Sequence, residues 1–200
     1  MPIAMTLDQR ASRHAPDRVE AMISMLNGSF VDELSLPFVR TAGDEMQGMI
    51  GSGQGLADVA TACLESGGWW IGIGIGALDG PPGATTRETR GPALWHAREA
   101  VERARQRKGG SPGPVAVVGD PPARAESLEA ALSGVAFIVR HRTRRQRSAV
   151  EHARQRPGLQ HVATSLGISL SAASYLLRAA GLEEQKGLER LVGRLAEECV

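Results

Sequence analysis

Apolar residues in the first two thirds of the chain recur at two different spacings. Alternating or unbroken apolar runs predict five strands, over residues 3–7, 37–41, 46–50, 69–78 and 114–118. Apolar residues three and four positions apart predict four helices, over residues 17–27, 56–66, 92–108 and 124–132. The order β-α-β-β-α-β-α-β, followed by a short helix, predicts an α+β domain.

Two details sharpen this prediction. Residues 42–45 (AGDE) separate two of the strands and have the composition of a hairpin turn. Isoleucine alternates with glycine in residues 69–78, which predicts a central strand with another element packed closely over it. The element order begins as in the ferredoxin-like arrangement that nucleotide cyclases and polymerase palms share.

The last third of the chain has the spacing of two short helices that cross steeply. Its apolar positions are Val162, Leu166, Ile168, Ala173 and Leu176. Gly167 stands where a tight turn requires a positive φ, and Ser169 or Ser171 can cap the next helix. The pattern resembles the DNA-binding helix-turn-helix, and an unrelated helical hairpin is the alternative.

A helix over residues 170–180 would then be the recognition helix, with its N-terminal half in the major groove of double-stranded DNA. Arginines just before the pattern would hold backbone phosphates, because cations near a polyanion supply affinity without reading sequence. The residues expected to contact DNA are Arg142, Arg144, Arg145, Arg147, Ser169, Ser171, Ser174, Tyr175 and Arg178.

One more amphipathic helix is predicted over residues 188–196. We expect it to close the core of the helix-turn-helix or to form a dimer helix. Helix-turn-helix proteins usually bind two half-sites as two-fold dimers, so a homodimer is expected.

The net charge of +1 conceals an asymmetry between the two parts of the chain. Residues 1–137 hold 12 basic and 16 acidic side chains, whereas residues 138–200 hold 11 and 6. A basic part next to an acidic one indicates a polyanionic partner, and a solvated helix face is the alternative. We place the boundary between the two domains near residues 140–143, which gives domains over 1–139 and 140–200.

Composition excludes several classes of protein. The longest apolar run, residues 69–78, is half the roughly 20 residues that span a bilayer, so neither a membrane nor a secretory signal is expected. Cys63 and Cys199 cannot build a disulfide framework, and no histidine pair has zinc-ligand spacing. These absences favour a cytoplasmic protein. Residues 109–114 (GGSPGP) are expected to form a loop inside the first domain.

Carboxylates mark two turns of the first domain. Asp8 ends the first strand, and Asp44 and Glu45 lie at the hairpin tip. In a palm-like sheet the end of the first strand and the hairpin tip are neighbours in space. Asp8 and Asp44 could hold Mg²⁺ against the phosphates of a nucleotide, since that ion prefers hard oxygen ligands. The turn over residues 9–13 could add backbone N–H groups and the cations of Arg10 and Arg13. Ordinary turn and strand-end residues are the alternative.

Four short stretches carry a resemblance to a known family. Residues 41–48 (TAGDEMQG), 71–76 (IGIGIG) and 91–98 (GPALWHAR), with the opening 6–13 (TLDQRASR), are similar to the SatD family, which looks distantly related to class III and diguanylate (GGDEF) cyclases. The resemblance spans about residues 3–108 and implies a nucleotide-cyclase-like palm joined to a helix-turn-helix. It adds further expected ligand-binding residues to the acidic ones, and the full set is Asp8, Arg10, Ser12, Arg13, Asp44, Glu45, Gln47 and Arg98.

The chain departs from this pattern where a cyclase performs its chemistry. Leu7 replaces the usual glycine, Met46 replaces an aromatic residue, and the long helix lacks the asparagine of a working class III cyclase. We therefore expect ligand binding rather than turnover and assign no catalytic residue. The leading hypothesis is a DNA-binding transcriptional regulator that senses a nucleotide-type ligand. A Mg²⁺-dependent cyclase or other phosphoryl-transfer enzyme comes second, and a protein-interaction scaffold third.

Overall fold

Five strands and four helices form the α/β unit in the computed structural model, which describes residues 2–107 and 113–198. The elements are β1 (Ile3–Gln9), α1 (Val19–Ser29), β2 (Leu34–Ala42), β3 (Glu45–Ile50), α2 (Gly53–Ser66), β4 (Trp69–Ile75), α3 (Pro92–Gln106), β5 (Val115–Gly119) and α4 (Pro122–His141). A short 3₁₀ turn over Val31–Glu33 precedes β2. The predicted order of elements and the mixed α+β class are confirmed.

Four further helices follow in the described part of the chain. They are α5 (Arg144–Gln155), α6 (Leu159–Leu166), α7 (Leu170–Ala179) and α8 (Leu182–Glu198). We call α5, α6 and α7 the three-helix unit, because they pack on one another around a small core of their own. Cys199 and most of the loop predicted over residues 109–114 lie outside the described residues.

The sheet has the strand order β2-β3-β1-β4-β5. β1 runs antiparallel to both β3 and β4, while β4 and β5 are parallel. This register sets Asp8 of β1 opposite Glu45 on one side and Trp70 on the other. The carboxyl end of β1 therefore meets the hairpin tip, as the sequence predicts.

The two faces of the sheet are packed differently. Large side chains such as Ile3, Met5 and Leu7 join α1, α2 and α4 in the main core on one face. α3 lies on the other face, where Gly72 and Gly74 of β4 admit it closely. A Cβ on Gly74 would stand 2.1 Å from the carbonyl oxygen of Ala93 in α3, so only glycine fits there. The close packing predicted over this strand is confirmed, and α3 provides it.

α4 and α8 differ from their predicted extents and partners. α4 continues to His141 instead of ending at Leu132, because the extra turns bury Val135, Ala136 and Val139 in the main core. The apolar stripe of α8 contacts α2 and α4 in the main core, with Val192 and Ala196 fully buried. The expectation that this helix closes the helix-turn-helix core is therefore wrong.

No helix within residues 2–107 and 113–198 is long and apolar enough to span a bilayer.

Candidate functional site

Asp8 is the most perturbed carboxyl group of the cleft at the end of β1. Strand alternation points its side chain to the α3 face, where the residue is only 8% exposed. Burial, followed by repulsion from Asp44, raises the pKa of Asp8 from 3.8 to about 6. Arg105 of α3 pairs with the Asp8 carboxylate at 3.6 Å and lowers its pKa, but burial and the neighbouring acidic groups outweigh this effect.

The hairpin between β2 and β3 brings Asp44 to the same place. Gly43 takes a positive φ of 54° at the tip, and the N–H of Gln9 donates to the carbonyl oxygen of Asp44 at 3.2 Å. Asp8 and Asp44 thus line one cleft of about 230 Å³. The remaining lining residues are Gln9, Ala11, Ser12, Arg13, His14, Trp70 and Arg105.

The turn after β1 presents unused hydrogen-bond donors to this cleft. Ala11 adopts a left-handed conformation with φ of 57°, which is uncommon for a residue with a Cβ. Within the described chain, the N–H groups of Ala11, Ser12 and Arg13 donate to no acceptor. Successive free N–H groups beside a left-handed residue form an anion-binding concavity. Arg10 borders it with its guanidinium 4.2 Å from the centre of the Trp70 ring.

Glu45, Gln47 and Arg98 lie apart from that cleft, along the side of α3. The Glu45 carboxylate accepts from the Thr41 hydroxyl and pairs with Arg98 at 3.3 Å. Gln47 is buried, and its amide donates to the Thr6 hydroxyl at 2.9 Å and to a carbonyl oxygen of α3 at 3.2 Å. The N–H groups of the Gln47 side chain thus hold the sheet and α3 together. Only the carbonyl oxygen of that side chain remains for a ligand.

Gln47 and Arg98 line a second, larger cleft of about 580 Å³. Its other lining residues are Thr41, Thr86, Arg87, Thr89, Leu94 and Trp95. Six of the eight predicted ligand residues are therefore divided between two clefts, with Asp8 and Asp44 in the smaller one, while Arg10 and Glu45 line neither.

Asp8 and Asp44 suit a magnesium ion only when phosphate and water complete its coordination. Among the described residues no group of three or more histidine, cysteine or acidic side chains could hold a metal ion. Asp8 and Asp44 supply two hard oxygen donors to one cleft. Mg²⁺ is commonly held by one or two carboxylates plus phosphates and water. These two residues fit that mode and do not fit an all-protein cage.

The three-helix unit is built around a tight turn between α6 and α7. Gly167 takes the left-handed conformation with φ of 62° and ψ of 40°, as the sequence predicts. The Ser169 hydroxyl caps α7 by accepting from the N–H of Ala172 at 3.2 Å. Ala149, Val162 and Ala173 form the buried centre that joins the three helices.

α7 exposes most of the polar positions expected to contact DNA. Tyr175 is 70% exposed, Ser171 and Arg178 are exposed, and Ser174 is half-buried. Gln146 of α5 donates to the carbonyl oxygen of Ala179 at 3.0 Å, so the first turn of α5 lies beside the end of α7.

One of the four arginines expected to contact phosphates is buried, which corrects part of the prediction. The side chain of Arg142 is 2% exposed and donates to Ala180, Glu65 and Gln185, so it is not available to DNA. Arg147 lines a cleft of about 360 Å³ between α5 and the α/β unit. Arg144 and Arg145 are exposed, with no side-chain partner in the described part of the chain.

Sequence reasoning missed Trp70, Arg105 and Glu65. Trp70 follows from the register of β4, which strand alternation alone does not fix. Arg105 continues an exposed stripe of α3 at helical spacing after Trp95, Arg98 and Glu102, a pattern that is visible in the sequence. Glu65 bears no sequence signal, because its partners come from distant helices.

Comparison with known proteins adds no relative. No protein-family model, curated protein or solved structure matches this chain. The resemblance to the SatD family therefore stays a prediction from the residues.

Proposed function

We propose that this protein is a DNA-binding transcriptional regulator whose α/β unit binds a nucleotide-type ligand. The three-helix unit would be a helix-turn-helix with α7 as its recognition helix. The carrying observation is the exposed surface formed by α7 and the first turn of α5, where Arg144, Arg145 and Arg178 have no side-chain partner among the described residues.

The electrostatics of α5 support this proposal. Arg144 and Arg145 occupy the first turn, where the positive end of the helix dipole disfavours cations by about 0.3–1 kcal/mol each. A polyanion beside this turn would neutralise both cations and accept hydrogen bonds from them. The internal pairing of Arg142 and Arg154 contrasts with this surface, since both of those arginines face Glu65.

The α/β unit supports the ligand half of the proposal. We interpret its first four strands, with the order β2-β3-β1-β4 and β1 antiparallel to both neighbours, as a ferredoxin-like palm of the nucleotide-cyclase type. The free N–H groups of the turn over residues 11–13 would hold phosphate oxygens. Asp8 and Asp44 would hold Mg²⁺, which supplies positive charge between the carboxylates and the phosphates.

We further propose that the protein binds DNA as a homodimer. A single α7 reads only a few base pairs, and two half-sites one helical turn apart require two copies. Sedimentation with and without DNA measures the number of copies in the complex, and a complex with a single copy contradicts the dimer.

DNA binding is tested by selecting duplexes from a random library at about 150 mM salt, followed by titration of the selected duplex. We expect an enriched sequence and an affinity that falls steeply with salt concentration, because phosphate contacts release counterions. Tyr175→Ala, on the exposed face of α7, should weaken binding to the selected duplex more than to unrelated DNA. A chain that enriches no sequence is not a sequence-specific regulator.

A phosphoryl-transfer enzyme is the second candidate, and the raised pKa of Asp8 favours it. Perturbed carboxyl groups cluster at sites that hold cations or move protons. Incubation with each of the four nucleoside triphosphates and Mg²⁺ or Mn²⁺ would reveal turnover. Turnover that Asp44→Asn abolishes would promote this candidate above the regulator, and turnover that survives it would exclude this mechanism.

A further inference from the structure

Glu65, in the last turn of α2, contacts the connector between α4 and α5, α5 itself and α8. One carboxylate oxygen accepts from Arg142 at 3.3 Å and from Gln185 of α8 at 3.4 Å. The other oxygen pairs with Arg154 of α5. A single side chain of the α/β unit thus joins the α4–α5 connector, α5 and α8.

Arg142 makes this junction sensitive to the charge of Glu65. Its side chain is 2% exposed, and its guanidinium also donates to the carbonyl oxygen of Ala180 at 2.9 Å and to Gln185. Arginine cannot lose its proton in a protein, so a buried guanidinium needs a counter-charge or must move to solvent. Glu65 is the acidic group that pairs with Arg142 directly.

The same end of α2 is hydrogen-bonded to the turn over residues 10–14, which contains the free N–H groups of residues 11–13. The N–H of Arg10, the first residue of that turn, donates to the carbonyl oxygen of Gly68 at 2.8 Å. Arg18, which follows the turn, donates to the carbonyl oxygens of Gly67 at 3.3 Å and Ser66 at 3.4 Å. Gly68, whose carbonyl oxygen holds the turn, lies three positions after Glu65.

These contacts form a continuous path. A ligand that reorders the turn over residues 10–14 acts on the end of α2, because Arg10 of this turn is bonded to the carbonyl oxygen of Gly68. Those residues follow Glu65 directly, and Gly67 and Gly68 both adopt positive φ, which fixes the direction in which α2 ends. Movement of Glu65 changes the position of its bonded partners on the connector and α5.

We propose that Glu65 is the positioning residue that fixes the orientation of the three-helix unit on the α/β unit, and that it transmits ligand binding at the turn to DNA binding. This inference rests on the proposed function for its ligand and DNA. The orientation that Glu65 fixes can be measured without either of them.

The coupling is tested by the DNA affinity of the full chain with and without ATP or GTP and Mg²⁺. We expect nucleotide to change the affinity of wild-type protein by a factor of about 5–150, the usual range for coupled sites. Glu65→Gln preserves the shape of the side chain and removes its charge, and it should reduce this factor to less than about twofold. The matched control is Glu189→Gln, since Glu189 also contacts Arg154 and Gln185 but lies on α8. That variant should retain the wild-type factor.

Orientation is tested without ligand by electron–electron distance measurement between spin labels. Labels at Ser127→Cys and Gln160→Cys report on α4 and α6, in a Cys199→Ser background with Cys63 buried. The distance distribution should be narrow with Glu65, broad with Glu65→Gln and narrow with Glu189→Gln.

The outcomes separate this inference from the proposed function. Failure of the wild-type chain to bind nucleotide or DNA defeats the proposed function, and the label distances then still decide whether Glu65 fixes the orientation. Binding of both without mutual effect overturns the coupling alone. An unchanged distance distribution in Glu65→Gln, or equal loss of coupling in Glu189→Gln, overturns the assignment to Glu65.

Discussion

Asp8 and Glu65 are two carboxylates of the α/β unit with opposite surroundings. Asp8 lies near Asp44, Glu45 and Glu102, and the nearest cation, Arg105, is 3.6 Å away. Glu65 instead accepts from two arginines and a glutamine. Asp8 is buried beside other acidic groups, so its pKa is raised, whereas Glu65 is held by three donors of its own chain.

The difference distinguishes a place for a ligand from a place that holds structure. A buried carboxylate beside other acidic groups raises the free energy of the unliganded protein, and a bound cation lowers it again. The arginines divide in the same way. Arg142 is consumed internally, while Arg144 and Arg145 face solvent at the unfavourable end of a helix dipole.

The largest expected effect is at the saturated end of this comparison. Arg142→Ala removes a buried cation with three internal acceptors, and we expect it to lower the free energy of unfolding by about 3 kcal/mol. For a chain of this size that corresponds to a melting temperature lower by roughly 10 °C. Urea denaturation and calorimetry measure the two quantities.

Arg144→Ala is the control, two positions along the chain and exposed. Its free energy of unfolding should remain within about 0.5 kcal/mol of the wild type. Equal effects in the two variants would remove the distinction between consumed and available arginines.

The sequence predicts the elements better than it predicts their partners. Alternation and helical spacing place Asp8 at the end of β1 and Asp44 at a hairpin tip, and both line one cleft. The stripe of α8 is visible too, but amphipathicity does not say which surface covers it. The burial of Arg142 depends on that packing, so a cluster of arginines in the sequence contains both structural and solvent-facing members.

The second prediction concerns Asp8 and pH. A pKa raised from 3.8 to about 6 means that the folded protein keeps a proton that the unfolded chain has lost between these values. Stability should therefore fall as pH rises from about 4 to 6, by up to about 3 kcal/mol from this group. Asp8→Asn removes the charge, so it should be more stable than the wild type at pH 7 and nearly equal at pH 4.

Denaturation curves at pH 4, 5, 6 and 7 for both proteins measure this difference. Asp32→Asn, at an exposed position, is the matched control and should follow the wild type. Addition of Mg²⁺ with ATP at pH 7 should stabilise the wild type and not Asp8→Asn. A stability difference between the wild type and Asp8→Asn that does not change with pH would contradict the raised pKa of Asp8.

The third prediction concerns the arginines that face solvent. Replacing Arg144 and Arg145 together by glutamine removes two proposed phosphate contacts and keeps the polar character of the helix. The salt dependence of DNA binding, as the slope of log affinity against log salt, should decrease by about 2, and affinity at 150 mM salt should fall roughly tenfold. Titration of the selected duplex at four salt concentrations measures both, with Arg190→Gln on α8 as the control. A slope equal to that of the wild type would remove α5 from the DNA contacts.

The smallest expected effect separates two serines of α7 that both face solvent. Ser169 caps the helix through its hydroxyl, whereas the Ser171 hydroxyl is hydrogen-bonded, within the described chain, only to that of Ser169, at 3.0 Å. Ser169→Ala should lower the free energy of unfolding by about 1 kcal/mol, and Ser171→Ala by less than about 0.5 kcal/mol. The order reverses for DNA binding if Ser171 contacts a phosphate or a base, because its hydroxyl is not required by the helix. Paired measurements of unfolding and DNA affinity in the two variants therefore assign one hydroxyl to the helix and the other to the DNA. A Ser171→Ala protein with wild-type DNA affinity would limit the contacts of α7 to Ser174, Tyr175 and Arg178.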